Sequence, residues 1–248
     1  MVLQIVPGKP VLIMDDTERY VILADIHIGF EEHALSKGIF LGGAPTAVEL
    51  ANDVVSIVQE YDAGTVILLG DIKSTTSQIS NNEWRAIPSF LEAVSRAADI
   101  IIVPGNHDGN ISRLAPPQIT LTASAGLIIG NTLLTHGHTM PPDTFSHIDT
   151  IIMGHVHPIF FSTDSILNGQ LVWVHLRTQK EKIFPSRTGD LNITILPAFN
   201  RYLALGRSGH RRKSISPIIS RIKQPSSARV VTLDGAILGG RELLDCVL

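Results

Sequence analysis

Along this chain the apolar residues fall into short runs, and the runs repeatedly stop on polar clusters. Residues 2–6 and 10–14 predict two short strands around a turn at Pro7-Gly8-Lys9, and residues 20–24 predict a buried strand that stops on Asp25-Ile26-His27. Between 45 and 61, the side chains of Val48, Ala51, Val54, Val55, Val58 and Tyr61 share one helical face, and Pro45 suits the first turn. Residues 65–69 predict a second buried strand, which stops on Gly70-Asp71. A polar loop at 73–82 leads into a helix reaching residue 98, which Pro88 should start or kink. Residues 100–103 predict a third buried strand, closed by Pro104 and followed by Gly105-Asn106-His107-Asp108.

Beyond that turn the runs shorten. Residues 118–135 alternate, with turn signals at Gly126 and Gly130-Asn131, and predict adjacent antiparallel strands that stop on His136-Gly137-His138. The run 148–153 stops on Gly154-His155-Val156-His157-Pro158. Further strands are predicted at 159–162, 171–176 and 192–196, with a last one near 230–233. Strand–helix alternation early and hairpins late predict an α/β fold, a mixed two-sheet sandwich flanked by helices. In open α/β sheets ligands bind beyond the carboxyl ends of strands, and all five polar clusters are placed at such ends.

Bulk properties narrow the function classes. With 248 residues, 44% of them hydrophobic, the chain has the material for a sizeable core and is read as a single domain over 1–248. A net charge of −3 argues against a protein that binds nucleic acid with its whole surface, so any such site is expected to be local. Cys246 is the only cysteine, which rules out an internal disulfide and favours a reducing compartment. The first residues lack the basic start and apolar core of a signal peptide, and no apolar run nears the ~20 residues of a membrane span. The expected location is cytoplasmic, with no membrane partner.

Taken singly, each cluster has a plain reading: an Asp at a strand end caps a turn, and two His one residue apart lie at the surface. Taken together they are D-x-H, GD, GNHD, HGH and GHVH in that order, each after a strand. This series resembles the calcineurin-like metallophosphoesterases over residues 20 to about 160. The resemblance implies a four-layer α-β-β-α sandwich of two mixed sheets and a pair of divalent ions. Asp25, His27, Asp71 and His157 would hold the first ion, and Asp71, Asn106, His136 and His155 the second. Ions ~3.5–4 Å apart need a bridging ligand, and the Asp71 carboxylate suits that role. Two carboxylates against two dications leave an excess charge of about two, favouring a bridging hydroxide and a phosphate oxygen. His107 is then free to act on the leaving oxygen, with Asp108 orienting it. His138 either binds substrate phosphate, supports the second ion or is structural. Lys73 either meets a phosphate oxygen as a point charge or is a solvated loop lysine. Imidazole, carboxylate and amide ligands without thiolate suit Mn²⁺, Fe²⁺, Ni²⁺ or Zn²⁺, and the resemblance favours Mn²⁺.

Asp25-Ile26-His27-Ile28-Gly29, Lys37-Gly38-Ile39, Gly70-Asp71-Ile72-Lys73 and Leu196-Pro197-Ala198-Phe199-Asn200 are similar to a prokaryotic branch of the family. That branch is related to the nuclease subunit SbcD and, in bacteria, to a phosphoesterase associated with DNA ligase and a helicase. It implies phosphodiester cleavage, in DNA during repair, with a helicase, ligase or other repair protein as partner. Between Arg201 and Arg229 lie eight Lys or Arg residues and no acidic one. With Gly, Ser and Pro interspersed, residues 203–229 read as a basic loop. It either tracks a DNA or RNA backbone or balances an acidic body as a solvated surface loop. Two other functions stay open: a phosphoesterase for a nucleotide, cyclic nucleotide or phosphomonoester, and a non-catalytic nucleic-acid-binding subunit. The complete set of ligand positions counts against the last.

Overall fold

Period-two alternation turns the apolar runs into sheets that are buried on both faces. A computed structural model of the chain describes residues 1–36, 38–40, 47–76, 78–162, 165–204, 216–222 and 224–248. Lys37, Pro45, Arg207, Arg211, Arg212, Lys213 and Lys223, all used above, lie outside them.

The first sheet contains β1 (Val2–Ile5), β2 (Leu12–Asp15), β3 (Arg19–Leu23), β4 (Thr65–Leu69), β5 (Asp99–Val103) and β6 (Thr120–Leu121), in that order. The first three are antiparallel, and β3 to β6 run parallel. Crossovers between the parallel strands are made by α1 (Phe30–Ser36), α2 (Ala47–Tyr61) and α3 (Glu83–Ser95). The second sheet contains β7 (Leu127–Ile129), β8 (Thr132–Thr135), β9 (Thr150–Met153), β10 (Ile159–Phe160), β11 (Gln170–Gln179), β12 (Asp190–Ile195), β13 (Ser227–Thr232) and β14 (Ile237–Gly239). Its order is β14-β13-β11-β12-β9-β8-β7, with β10 beside β11, and β8, β9 and β12 run parallel.

Alternate residues of each strand serve different layers. Val21, Leu23, Val66 and Leu68 pack under Val54, Ile57, Phe90 and Leu91 of α2 and α3. Tyr20, Ile22, Ile67 and Leu69, on the other face, meet Leu134, Ile152, Trp173 and Leu196 of the second sheet. Leu133, Ile151, Met153 and Leu176 look outward to Phe184, Ile218, Ile219 and Val247. Each fully buried aliphatic or aromatic side chain contributes roughly 1.5–3 kcal/mol, so these three layers hold the sheets face to face. The outer layer over the second sheet is thin, built of short turns and of α4 (Pro217–Arg221) and α5 (Leu244–Val247).

Three expectations are corrected. Thr120–Leu121 does not pair with Leu127–Ile129; it adds to the edge of the first sheet beside β5, since an alternating pattern marks a strand without naming its partner. Helix α3 runs through Pro88 and ends at Ser95, short of residue 98. Residues 217–221 are helix rather than basic loop, and the last strand begins at Ser227 instead of near 230. Ser216 caps the helix by accepting from Ile219 N–H, Pro217 occupies its first turn, and Ile218 and Ile219 are buried. Among the described residues no helix is long and apolar enough to cross a membrane.

Candidate metal centre

Because β3, β4 and β5 are parallel in one sheet and β8, β9 and β12 in the other, their carboxyl ends share an edge of the sandwich. Asp25 and His27 follow β3, Asp71 follows β4, and Asn106 to Asp108 follow β5. His136 and His138 follow β8, and His155 and His157 follow β9. The structure brings the seven predicted ligands together. Asp25, His27, Asp71, His136, His155 and His157 are all buried, whereas Asn106 is exposed and His107 half-buried, so the site opens on the Asn106 side.

The ligand atoms form three overlapping groups, Asp25–His27–His157, His27–Asp71–His107 and Asp71–His136–His155, each with its atoms within 4.8 Å of one another. Asp71 joins them. Its Oδ2 lies 3.3 Å from His136 Nε2, 3.6 Å from His27 Nε2 and 3.9 Å from His107 Nε2. Asp25 Oδ1 lies 2.9 Å from His157 Nε2 and 3.8 Å from His136 Nδ1. Backbone bonds hold the cluster across the sheets. His155 N–H donates to both oxygens of Asp25 (3.2 and 3.0 Å), and His107 N–H donates to Asp71 Oδ1 (2.9 Å). His136 Nδ1 meets the Leu69 carbonyl at 2.8 Å, so Nδ1 carries a proton and Nε2 faces Asn106 Oδ1 at 3.2 Å.

Close loop approach requires glycine. A Cβ on Gly105 would stand 2.2 Å from Asp71 Oδ1, and one on Gly70, at φ +73°, would stand 2.5 Å from His136 Nδ1.

The donor set fits divalent ions. His27 Nε2 is a buried nitrogen with no hydrogen-bond partner among the described residues, an arrangement that is costly unless the lone pair meets a cation. Burial and the neighbouring His157 hold His27 down at about 3, and burial and His136 hold His155 at about 4, so both rings are neutral and able to ligate. Burial opposes the charged form of Asp71, but the His136 and His27 imidazoles outweigh it and pull the carboxyl well below its ordinary range. Burial likewise opposes charge on Asp25, and His157 reverses the effect. His136 moves the other way: against burial, Asp71 and Asp25 raise it to about 9.

Two assigned roles change. Asp108 does not orient His107. Its carboxylate accepts from Ile72 N–H (2.9 Å), Lys73 N–H (3.2 Å) and Gly105 N–H (2.8 Å), tying the β4 and β5 loops together, while His107 Nδ1 sits on the Ser74 carbonyl at 2.7 Å. Lys73 is not a solvated loop lysine. It is fully buried, with Nζ held by the carbonyl and hydroxyl of Thr75. His138 does stand beside the cluster, its ring centroid 5.2 Å from that of His136 and its buried Nδ1 without a partner among the described residues.

Asn200 carries no site signal in the sequence, although Leu196-Pro197-Ala198-Phe199-Asn200 continues β12 along the same sheet edge. Phe199 N–H donates to Ala24 O (2.8 Å), Asn200 N–H to Asp25 O (3.3 Å) and Asn200 Nδ2 to Ile26 O (3.1 Å), so this segment straps the D-x-H turn in place.

A family model, calcineurin-like phosphoesterase, matches residues 18–167, more than half of the chain and all five clusters. The chain belongs to the calcineurin-like phosphoesterase family. It is accordingly a metal-dependent phosphoester hydrolase. A comparison with curated protein sequences yields no match. Among solved structures, the fold is similar to that of the nuclease MPE of Pseudomonas putida, with a TM-score of 0.53 and 17% identity. The likeness covers 94% of this chain and 98% of that one, and at this identity it speaks to the fold alone.

Proposed function

We propose that this phosphoesterase cleaves phosphodiester bonds in nucleic acid using two divalent ions, with Mn²⁺ favoured. The observation that carries the two-ion reading is Asp71, one carboxylate oxygen of which lies within 3.6 Å of imidazoles from both ligand sets, His27 and His136. When bound, the ions supply Lewis-acid polarisation of the phosphate and lower the pKa of water.

The chain supplies positioning and proton handling. Asp25, His27 and His157 would hold one ion and Asn106, His136 and His155 the other, with Asp71 shared between the two sets. His107 is fixed at Nδ1 by Ser74 and leaves Nε2, on a half-exposed ring, to donate to the departing oxygen. His138, beside His136 and His155, lies where it can meet a phosphate oxygen.

Nucleic acid as substrate is supported by the fold shared with a nuclease and by the basic stretch Arg201 to Arg229. A role in DNA repair beside a helicase or ligase follows the branch resemblance. The test is a panel of phosphomonoesters, small diesters, cyclic nucleotides and single- and double-stranded DNA and RNA, each with Mn²⁺, Fe²⁺, Ni²⁺ and Zn²⁺. Turnover of DNA should fall steeply with salt, and less steeply once Arg211, Arg212 and Lys213 are neutralised. Equal turnover of a small diester, insensitive to salt and to that triple change, favours the small-molecule reading instead.

A further inference from the structure

Glu83 does more than start helix α3. Ser80 Oγ accepts from Glu83 N–H (3.1 Å) and Glu83 Oε2 accepts from Ser80 N–H (2.8 Å), the reciprocal pair of an S-x-x-E helix start. Capping uses only that one bond to the carboxylate. The other donors come from the loop after Asp71: Ser74 N–H and Thr75 N–H on Oε1, each at 2.9 Å, and the Thr75 hydroxyl, whose one proton is shared between Oε2 at 2.7 Å and the Gln78 carbonyl at 2.5 Å. Both carboxylate oxygens are thereby met by N–H donors. The residue is fully buried near the equally buried Lys73, whose Nζ also holds Thr75. Burying a cation and a carboxylate together is unfavourable unless both are fully satisfied, and a helix start does not call for it. What the network immobilises is the Ser74-Thr75 backbone, and the Ser74 carbonyl is the partner of His107 Nδ1.

We propose that Glu83, acting with Lys73 and Thr75, is a positioning residue for His107. The carboxylate fixes the Ser74 carbonyl; that carbonyl, which can only accept, keeps the proton on Nδ1 and points Nε2 at the scissile ester. This rests on the reading of His107 as the residue that serves the leaving oxygen.

The test uses the full-length protein. Glu83→Gln turns one acceptor atom into a donor facing N–H groups, and Thr75→Val, a milder change, serves if the first does not fold. Ring nitrogen shifts of His107 in the Zn²⁺-loaded protein should report a protonated Nδ1 in the native chain and a mixture of tautomers in either variant. With aryl and alkyl diesters of graded leaving-group pKa, kcat should fall about tenfold for the poorest leaving group and little for the best, with KM within about twofold. In a His107→Ala background the same change should add nothing. Ser80→Ala should lower the melting temperature while leaving the tautomer and leaving-group dependence as they are. An unchanged His107 spectrum in the variants, independent losses in the double variant, or Ser80→Ala reproducing Glu83→Gln would overturn the proposal. An altered spectrum with His107→Ala at full rate on every substrate would instead overturn the leaving-group role and leave the positioning intact.

Discussion

Asp71→Asn separates charge from shape at the centre of the site. Oδ1 accepts from His107 N–H at 2.9 Å, and the asparagine oxygen can keep that bond. Oδ2, 3.3 Å from His136 and 3.6 Å from His27, becomes an amide NH2 whose nitrogen has no lone pair to offer a cation. Two unit charges 3.3 Å apart interact by roughly 5 kcal/mol at an effective dielectric of about 20, and a dication feels about twice that before desolvation is subtracted. Loss of the charge also lets His136 release its proton more easily, which offsets part of the effect. A remainder of about 4 kcal/mol per ion corresponds to roughly a thousandfold in affinity, and on the proposed reading Asp71 serves both ions. Equilibrium dialysis of the full-length protein against Mn²⁺, with metal analysis and circular dichroism to establish folding, makes the measurement. The folded variant should bind less than one equivalent where the native chain binds two, and turnover should fall at least as far. Two equivalents bound at native affinity would refute the bridging role.

Three further outcomes are expected. His136 is raised to about 9 because Asp71 and Asp25 outweigh burial, so an incoming ion must displace its proton: affinity should rise with pH up to about 9 and level off, with about one proton released. His27 and His155, held near about 3 and 4 chiefly by burial, are already neutral and release none; calorimetry in buffers of different ionisation enthalpy counts the protons, and pH-independent binding would contradict the scheme. Asn200→Ala removes the donor to Ile26 O and should cost about 1–3 kcal/mol, lowering Tm by roughly 5 °C and loosening the ion at Asp25 and His27; native Tm and metal content would contradict it. At His157, with φ 49°, Gly should be more stable than Ala by about 1 kcal/mol, the reverse of their usual order, as thermal denaturation of the two variants would reveal.

The ligands were legible because each follows an apolar run of recognisable period, and parallel strands carry such run-ends to one edge. Local sequence says nothing, however, about contacts made through backbone atoms of distant residues. Asn200 reaches Ile26 across 174 positions, and Asp108 is occupied by N–H groups of Ile72 and Lys73, which any residue could supply. Sequence offers Lys73 only as a phosphate contact or a solvated loop lysine, because the glutamate that makes its burial tolerable begins the next helix. Pairing escaped for the same reason: Thr120–Leu121 looked like its hairpin neighbours until β5 claimed it.

Backbone conformation gives these loops a second constraint. Of the seven described non-glycine residues with positive φ, five are proposed ligand positions: Asp25, His27, Asp71, His155 and His157. Left-handed backbone costs roughly 1–2 kcal/mol per L-residue, so together these five represent on the order of 5–10 kcal/mol, comparable with the net stability of a whole domain. Glycine would remove that strain and the ligand with it, while Asp and His tolerate the region better than most side chains. The strain is offset by bonds between loops: Asp25 N–H to Gly70 O at 3.1 Å, His27 N–H to Asp71 O at 2.9 Å and Ile28 N–H to Ile72 O at 2.8 Å. These bonds extend β3–β4 pairing past the strand ends, so the sheet itself holds the D-x-H and GD turns in a conformation neither would adopt alone. Rigid presentation of ligands and departure from comfortable backbone are therefore one design, and the Asn200 strap and the Glu83 network are the supports it requires.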